Sequence, residues 1–563
     1  MRIVLLSLLA FSTNLATVFS EDALYTEPAS GDIQWKVTWK TQGEVKFERK
    51  NGALVIRAEG EFKGYAAVKI VGRPPEVAAD YTVEVTATCE VDGPAPTFYA
   101  LSRDAAGRLI NYQGLGEFGT TPKTRKKIFS IPTQTAMAEI GVGFSKANGT
   151  VTISSVLVKP LGFSMDLLAK YKPTGGTLWA STGIDRTYGK EAFAPRARDT
   201  GLKLMACAGI NATRGGVRWS KAEAEKGKMD FDEFKAQLQL YEHYGISPAV
   251  VCLGYVPSWA SGKSGANDLS PEEKKKLGDY KTGLAYWPPK DYKDWEHFVE
   301  ETVKLGKGRV AAYEILNEPD IIEECFMGNY SDYANFLKHA YAAVKRVDPQ
   351  AQVLTAAFVR GEWLGRLFED GFTNYFDGVC SHPYSGSGLG AAQRNRAVLV
   401  ETILAGAPKS VWVTEVGFQS GGWPTGPGVR TNEIEKAREG KIALEEIAKL
   451  SRFVAWYGSY EKGNMYGLCR IEDNGALRPM PVYFAYGEVT GAFKKSEPPI
   501  TVSVEGVLSV KAGGQAKVRL VAKNVSGAEL AVKLWPVGFT ENLNPNNAGP
   551  NAQDFEGKLG VGE

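Results

Sequence analysis

Histidine is scarce in this chain of 563 residues: there are 4, at positions 243, 297, 339 and 382. No two of them stand at ligand spacing, so a histidine-built metal site is not expected. Cysteine is also sparse. The 6 cysteines, at 89, 207, 252, 325, 380 and 469, form no C-x-x-C pair, which argues against both a zinc site and a disulfide framework. Cys252 and Cys380 fall in apolar, strand-like runs, where a buried free thiol is the ordinary explanation. An excess of charge of one sign is missing too. Lys and Arg number 66 against 64 Asp and Glu, a formal net charge of +2, so nothing points to nucleic acid or to an acidic membrane surface. There is no glycine-rich phosphate loop, no cofactor motif and no internal repeat. Past the N-terminus no run is long and apolar enough to span a bilayer.

The N-terminus itself, MRIVLLSLLAFSTNLATVFS, places Arg2 before an apolar stretch and small residues at Val18 and Ser20. It reads as a secretory signal over 1–20, cleaved after Ser20, with an N-terminal anchor as the alternative. The mature chain is then expected to be secreted, periplasmic or at the cell surface, with no membrane span. Its 44% hydrophobic and 23% charged residues are ordinary for globular protein, and the length suits two to four domains. Aromatic residues reach 11%, which serves either large cores or surfaces that stack on sugar rings.

Residues 21–163 alternate apolar and polar positions between turn signals such as Asn51-Gly52, the pattern of a β-sandwich. Its role is either carbohydrate binding or structural support. From 164 to 495 strands alternate with helices. The strand-like runs are TLWAST, GGVRWS, SPAVVCLGY, RVAAYEILNEP, AQVLTAAFV, FDGVCSHPY, SVWVTEVGF and NMYGLCRIE, the last following a long helix near 432–458. Eight such units match a (β/α)8 barrel; a doubly wound sheet is the alternative. Residues 496–563 return to period two, a short C-terminal β-sandwich ending in a disordered tail rich in Asn and Gly. The fold class is α/β, a barrel flanked by two β-sandwiches.

A barrel carries its active site at the C-terminal ends of its strands, so polar residues ending strands are the candidates. The fourth strand ends in Asn317-Glu318-Pro319, the sixth in His382-Pro383-Tyr384 and the seventh in Thr414-Glu415. The second carries Arg218, and Trp259 follows the third. His382 and Tyr384, two residues apart, share a face. Two glutamates across a barrel mouth suit glycoside cleavage, in which one carboxylic acid protonates the leaving oxygen and a second carboxylate attacks or activates water. Neither step needs a metal or cofactor.

The motifs Leu316-Asn317-Glu318-Pro319 and Val413-Thr414-Glu415-Val416-Gly417 resemble the signature of clan A glycoside hydrolases. The stretches KGKMDFDEFKAQLQLYEHYGISPAVVCLGYVPSWAS and DGVCSHPYS resemble family 39, the β-xylosidase and iduronidase type, and its family 5 neighbours. The resemblance implies retention of configuration, with Glu318 as acid/base and Glu415 as nucleophile. It also implies that Asn317 binds the sugar 2-hydroxyl, and that Arg218 and Tyr384 hold the nucleophile. The eighth strand as read lacks the tryptophan that commonly floors the sugar subsite, and Tyr466 is the residue in its place. His382 and Trp259 complete the expected substrate contacts. The expected partner is a polysaccharide or oligosaccharide; an inactive carbohydrate-binding barrel and a transglycosylase are the other readings.

Overall fold

Antiparallel pairing absorbs the period-two pattern of the N-terminal third. In the computed structural model, residues are described from 25 to 27 and from 34 to 493, apart from 70–78, 162–167, 185–193, 264–268, 278–284, 420–432 and shorter gaps, with four strands beyond. The signal segment 1–20 therefore lies outside the described residues. Strands β1 (Tyr25–Glu27), β2 (Lys36–Lys50), β3 (Ala53–Lys69), β4 (Ala79–Asp92), β5 (Thr97–Arg103), β6 (Leu109–Glu117), β7 (Lys123–Ile131) and β8 (Met137–Leu161) belong to one sheet. The two sheets of the expected sandwich are hydrogen bonded into one through β8. That strand is 25 residues long and pairs with β5 and β3 early, then with β3, β4 and β1. Alternate residues, among them Leu54, Ile56, Val83, Val85, Ile140 and Val142, fill a core belonging to this domain alone. Their period of two gives the strands one buried face.

The central region closes as a parallel eight-stranded barrel, β9 (Leu178–Thr182), β10 (Ala212–Arg218), β11 (Ser247–Gly254), β12 (Ala312–Ile315), β13 (Gln352–Leu354), β14 (Gly378–Ser381), β15 (Ser410–Val416) and β16 (Phe453–Trp456), with β16 returning to β9. Ala180, Ala212, Ala249 and Ala312 share a buried cluster with Leu354, Trp412 and Phe453. Small residues opposite large ones fill a closed barrel without voids.

Seven of the eight expected strands sit in the barrel; the eighth does not. The helix expected near 432–458 stops at Ile447, and the run Phe453–Trp456 closes the barrel instead. Four apolar residues in succession carry no periodicity that separates a strand from the end of a helix. The segment expected as strand eight contributes β18 (Cys469–Ile471) to a small sheet with β17 (Tyr460–Glu461) and β19 (Leu477–Pro479). Strand eight thus ends in Trp456, which is fully buried and donates its indole N–H to the Tyr466 carbonyl at 2.8 Å.

The N-terminal sheet docks on the helix Gly388–Leu404. Arg396 meets the buried Asp80 at 2.8 Å, and the Ser387 hydroxyl donates to the Ile110 carbonyl at 2.6 Å. Beyond the barrel, β20 (Ile500–Gly506) pairs with β21 (Val518–Asn524), and β22 (Leu530–Leu534) with β23 (Phe555–Leu559). The tail expected to be disordered therefore includes a paired strand. Among the described residues no helix is long and apolar enough to cross a membrane.

Candidate active site

The fourth barrel strand ends by leaving the β region abruptly. Leu316 and Glu318 take φ of 61° and 40°, a region that non-glycine residues enter only when their surroundings impose it. Leu316 is buried and its N–H reaches the Leu253 carbonyl at 2.9 Å, which pins the turn. Gly254 leaves it room, since a Cβ there would stand 2.8 Å from Leu316 Cδ2. Glu318 is the product of that turn, and its Oε1 lies 2.5 Å from His382 Nδ1.

Glu415 arrives more simply, from within β15. Its two oxygens are separately held: Arg214 Nη1 donates to Oε1 at 2.6 Å and the Tyr384 hydroxyl donates to Oε2 at 2.7 Å. Burial pushes this carboxyl up, but His382, Arg214 and the Tyr384 hydroxyl together outweigh burial and hold it below the usual carboxylate range. It is an anion at neutral pH. One oxygen of Glu318 and one of Glu415 lie within 4.8 Å of each other, with a His382 nitrogen inside the same radius. Such a donor set could hold a cation, yet the Arg214 guanidinium already neutralises Glu415.

Arg214 organises the floor. Besides Glu415 it donates to Glu314 Oε2 at 2.6 Å and to Asn317 Oδ1 at 2.5 Å. Glu314 is fully buried, where an unpaired charge would be very costly. It also accepts from the Thr414 hydroxyl at 3.2 Å, and Thr414 Oγ1 lies 3.0 Å from His382 Nε2. With its own hydrogen directed to Glu314, the Thr414 oxygen accepts, so Nε2 carries a proton. Burial lowers the His382 pKa, but Glu415 and Glu318 outweigh it and raise the value overall. When protonated, His382 donates from Nδ1 to Glu318 Oε1.

The expected site residues divide. The structure brings Asn317, His382 and Tyr384 together with the two glutamates. Arg218 is corrected: the guanidinium on Glu415 belongs to Arg214, four residues earlier. At the open end of β10, Arg218 is exposed and lies over the Tyr255 ring at 4.5 Å, whereas Arg214 sits where the strand lines the interior. Trp259 donates to the Glu223 carbonyl at 2.8 Å and packs edge-on against Trp219; none of these described contacts joins it to the carboxylate pair. Tyr466 does join the site, its ring 5.7 Å from Tyr384 and 5.3 Å from Tyr457, with Tyr384 and Tyr457 6.0 Å apart. Three tyrosines wall the side of Glu415.

Sequence reasoning also missed Glu314, Tyr457 and Glu324, and it gave Thr414, a strand-end residue, no role. Glu324 accepts from the Tyr255 hydroxyl at 2.9 Å, and burial, with Glu318 and Glu415 nearby, raises its pKa. Tyr255 itself has φ of 62°. Arg214 and Glu314 did carry a signal: a charge in the middle of an apolar strand must be paired inside.

Known proteins similar to this chain include glycoside hydrolases. No protein-family model matches it. A curated β-xylosidase of Caldicellulosiruptor saccharolyticus is 30% identical over 87 residues, 14% of this chain and 18% of that protein's length. Solved structures similar to the chain include a family 39 glycoside hydrolase from Bacteroides cellulosilyticus, with 17% identity, a TM-score of 0.41, and 78% of this chain and 87% of that one covered. A monomeric β-xylosidase from Caulobacter crescentus is similar at 13% identity and a TM-score of 0.44, with 66% and 76% covered.

Proposed function

We propose that this chain is a retaining glycoside hydrolase that cleaves O-glycosidic bonds by double displacement, with Glu415 as nucleophile and Glu318 as acid/base. One observation carries the reading: two carboxylates with oxygens within 4.8 Å of each other and unlike surroundings. Retaining enzymes hold the pair about 5–5.5 Å apart, while inverting enzymes need about 6.5–9.5 Å to admit a water between them.

The surroundings supply the division of labour. Glu415, held as an anion by Arg214 and Tyr384, is oriented to attack the anomeric carbon and form a glycosyl ester. Glu318 shares a proton with His382 and gives it to the leaving oxygen. In the second half it takes a proton from water, which attacks the anomeric carbon and releases Glu415. Asn317, with its Oδ1 bound to Arg214 and its amide also hydrogen-bonded to Glu324, has one N–H left for a substrate hydroxyl. Tyr384, Tyr457 and Tyr466 offer an aromatic wall to the sugar.

The substrate class follows as part of the same proposal: a polysaccharide or oligosaccharide, with β-xylosides the first compounds to assay because of the local similarity to a β-xylosidase. Export through residues 1–20 also belongs to the proposal and is checked by N-terminal sequencing of secreted protein. The test of the chemistry is a pair of variants on aryl glycosides. Glu415→Gln is expected to abolish turnover, whereas Glu318→Gln keeps turnover of substrates with good leaving groups and loses the others. Full activity in Glu415→Gln would sink the reading.

A further inference from the structure

The N-terminal sheet carries a feature for which the barrel chemistry has no use. Trp39 on β2 and Tyr65 on β3 are cross-strand partners. They are 45% and 43% exposed, with ring centres 5.4 Å apart. The row continues across the strands: Tyr65 meets Tyr99 of β5 at 5.6 Å, and Tyr99 stacks on Tyr112 of β6 at 6.1 Å. Between β3 and β5 runs β8, whose Gly141 and Gly143 lie in the path of the row. A Cβ at Gly143 would stand 2.8 Å from the Tyr65 ring, and one at Gly141 2.4 Å from the Tyr99 hydroxyl. The tyrosines lean across bare backbone that any side chain would fill.

Single exposed aromatics need no explanation, but a contiguous row over glycines, open at one end, is the form of a binding surface. Its surroundings narrow the occupant. Lys63 and Lys69 alternate with Tyr65 on the same face of β3, and Lys36 pairs with Ala67 beside them; all three lysines are exposed. Glu139, the acid nearby, is buried among Arg103, Lys69 and Lys36. Two rings with a lysine rim are small beside the roughly 1,200–2,000 Å² that a stable protein interface buries, and lysines rather than aliphatic wedges flank them. Flat rings with polar edges suit pyranose faces, and the positive rim suits chains that carry uronate. The inner end of the row approaches the barrel: Tyr112 interacts favourably with Arg394, which donates to the Tyr384 carbonyl.

We propose that Trp39 and Tyr65 form a platform for a polysaccharide chain, a second site that holds polymer while the barrel cleaves it. The occupant's class rests on the glycosidase reading above, but its test does not. The full-length protein is run in native gels containing arabinoxylan, glucomannan, glucuronoxylan or alginate, beside Trp39→Ala/Tyr65→Ala, Trp39→Phe and Gly143→Val. The expected result is retardation by at least one polymer, weakened roughly tenfold in the double variant. Trp39→Phe should keep part of the retardation, and Gly143→Val, which displaces the Tyr65 ring, should lose part of it. Aryl glycoside turnover and the thermal midpoint of the double variant should stay unchanged. Equal retardation of the double variant, or no retardation of the unaltered protein by any of the four polymers, overturns the platform. Absence of aryl glycoside hydrolysis would count against the barrel chemistry alone, because retardation is read without turnover.

Discussion

Arg214 bears more of the site than either glutamate does, because its three donors join Glu314, Glu415 and Asn317. Of the four carboxyls in this cluster, Glu314, Glu318, Glu324 and Glu415, Arg214 pairs with Glu314 and Glu415, and His382 adds a second charge through its raised pKa. Replacing Arg214 by Met is expected to leave buried acids uncompensated, a loss of roughly 3–5 kcal/mol. It is also expected to move the acid limb of kcat/KM to higher pH, as Glu415 loses a partner that keeps it ionised. A pH–rate profile with an unmoved acid limb would contradict that assignment. The two stability contributions depend on pH in opposite directions. The depressed Glu415 contributes above its ordinary pKa of about 4.3, and its contribution is lost as pH falls through the folded value. The elevated His382 contributes below about 6.5, and its contribution is lost as pH rises through the folded value. The network is therefore firmest between those two limits, in the mildly acidic range.

At the scale of elements, the small sheet β17–β19 brings in Tyr466, the residue expected on the eighth strand, while β16 closes the barrel. It is anchored by Lys436, fully buried on the helix Glu433–Ile447, which donates to Glu461 at 2.9 Å and to the Gly467 carbonyl at 2.7 Å. Burial, opposed by Glu461, lowers the Lys436 pKa to about 8. The Gly467 contact lies next to Tyr466, so the anchor also sets the aromatic wall. Lys436→Met is expected to cost roughly 3–5 kcal/mol, read as a lower urea midpoint. It should also raise KM while leaving the acid limb of the pH profile in place. Lowered stability with an unchanged KM would mean that the sheet does not position Tyr466.

This region also marks where the sequence stops being legible. Strand-like runs alternating with helical stretches made seven barrel strands readable in advance, and polar residues at strand ends singled out both glutamates. The eighth strand, Phe453–Trp456, is a four-residue apolar run with no period of its own. Arg218 ends the strand as written, while the interior position of Arg214 depends on barrel geometry. Tyr457 follows directly from the misassigned strand. Glu324 is brought in by a loop whose path no local pattern encodes.

The whole molecule couples its two larger domains through helices that include Glu362–Glu369, whose Glu362 pairs with Arg125 of the N-terminal sheet, and Gly388–Leu404. Asp80 of the N-terminal sheet holds Arg396 at 2.8 Å, and on the same helix Arg394 donates to the Tyr384 carbonyl. Asp80→Ala strands a mostly buried guanidinium, so the denaturant midpoint should fall by the equivalent of roughly 3–5 kcal/mol. At permissive temperature aryl glycoside turnover should persist, because Tyr384 still reaches Glu415 from its own strand end. An unchanged midpoint would mean that the two domains are held together elsewhere. The central claim spans all three scales: strand-end chemistry, barrel closure and interior charge place two carboxylates close enough for a covalent intermediate. The most direct measurement is proton NMR of the first sugar released from an aryl glycoside, taken before mutarotation. The anomeric signal should show the configuration of the substrate. The opposite anomer appearing first would contradict the account.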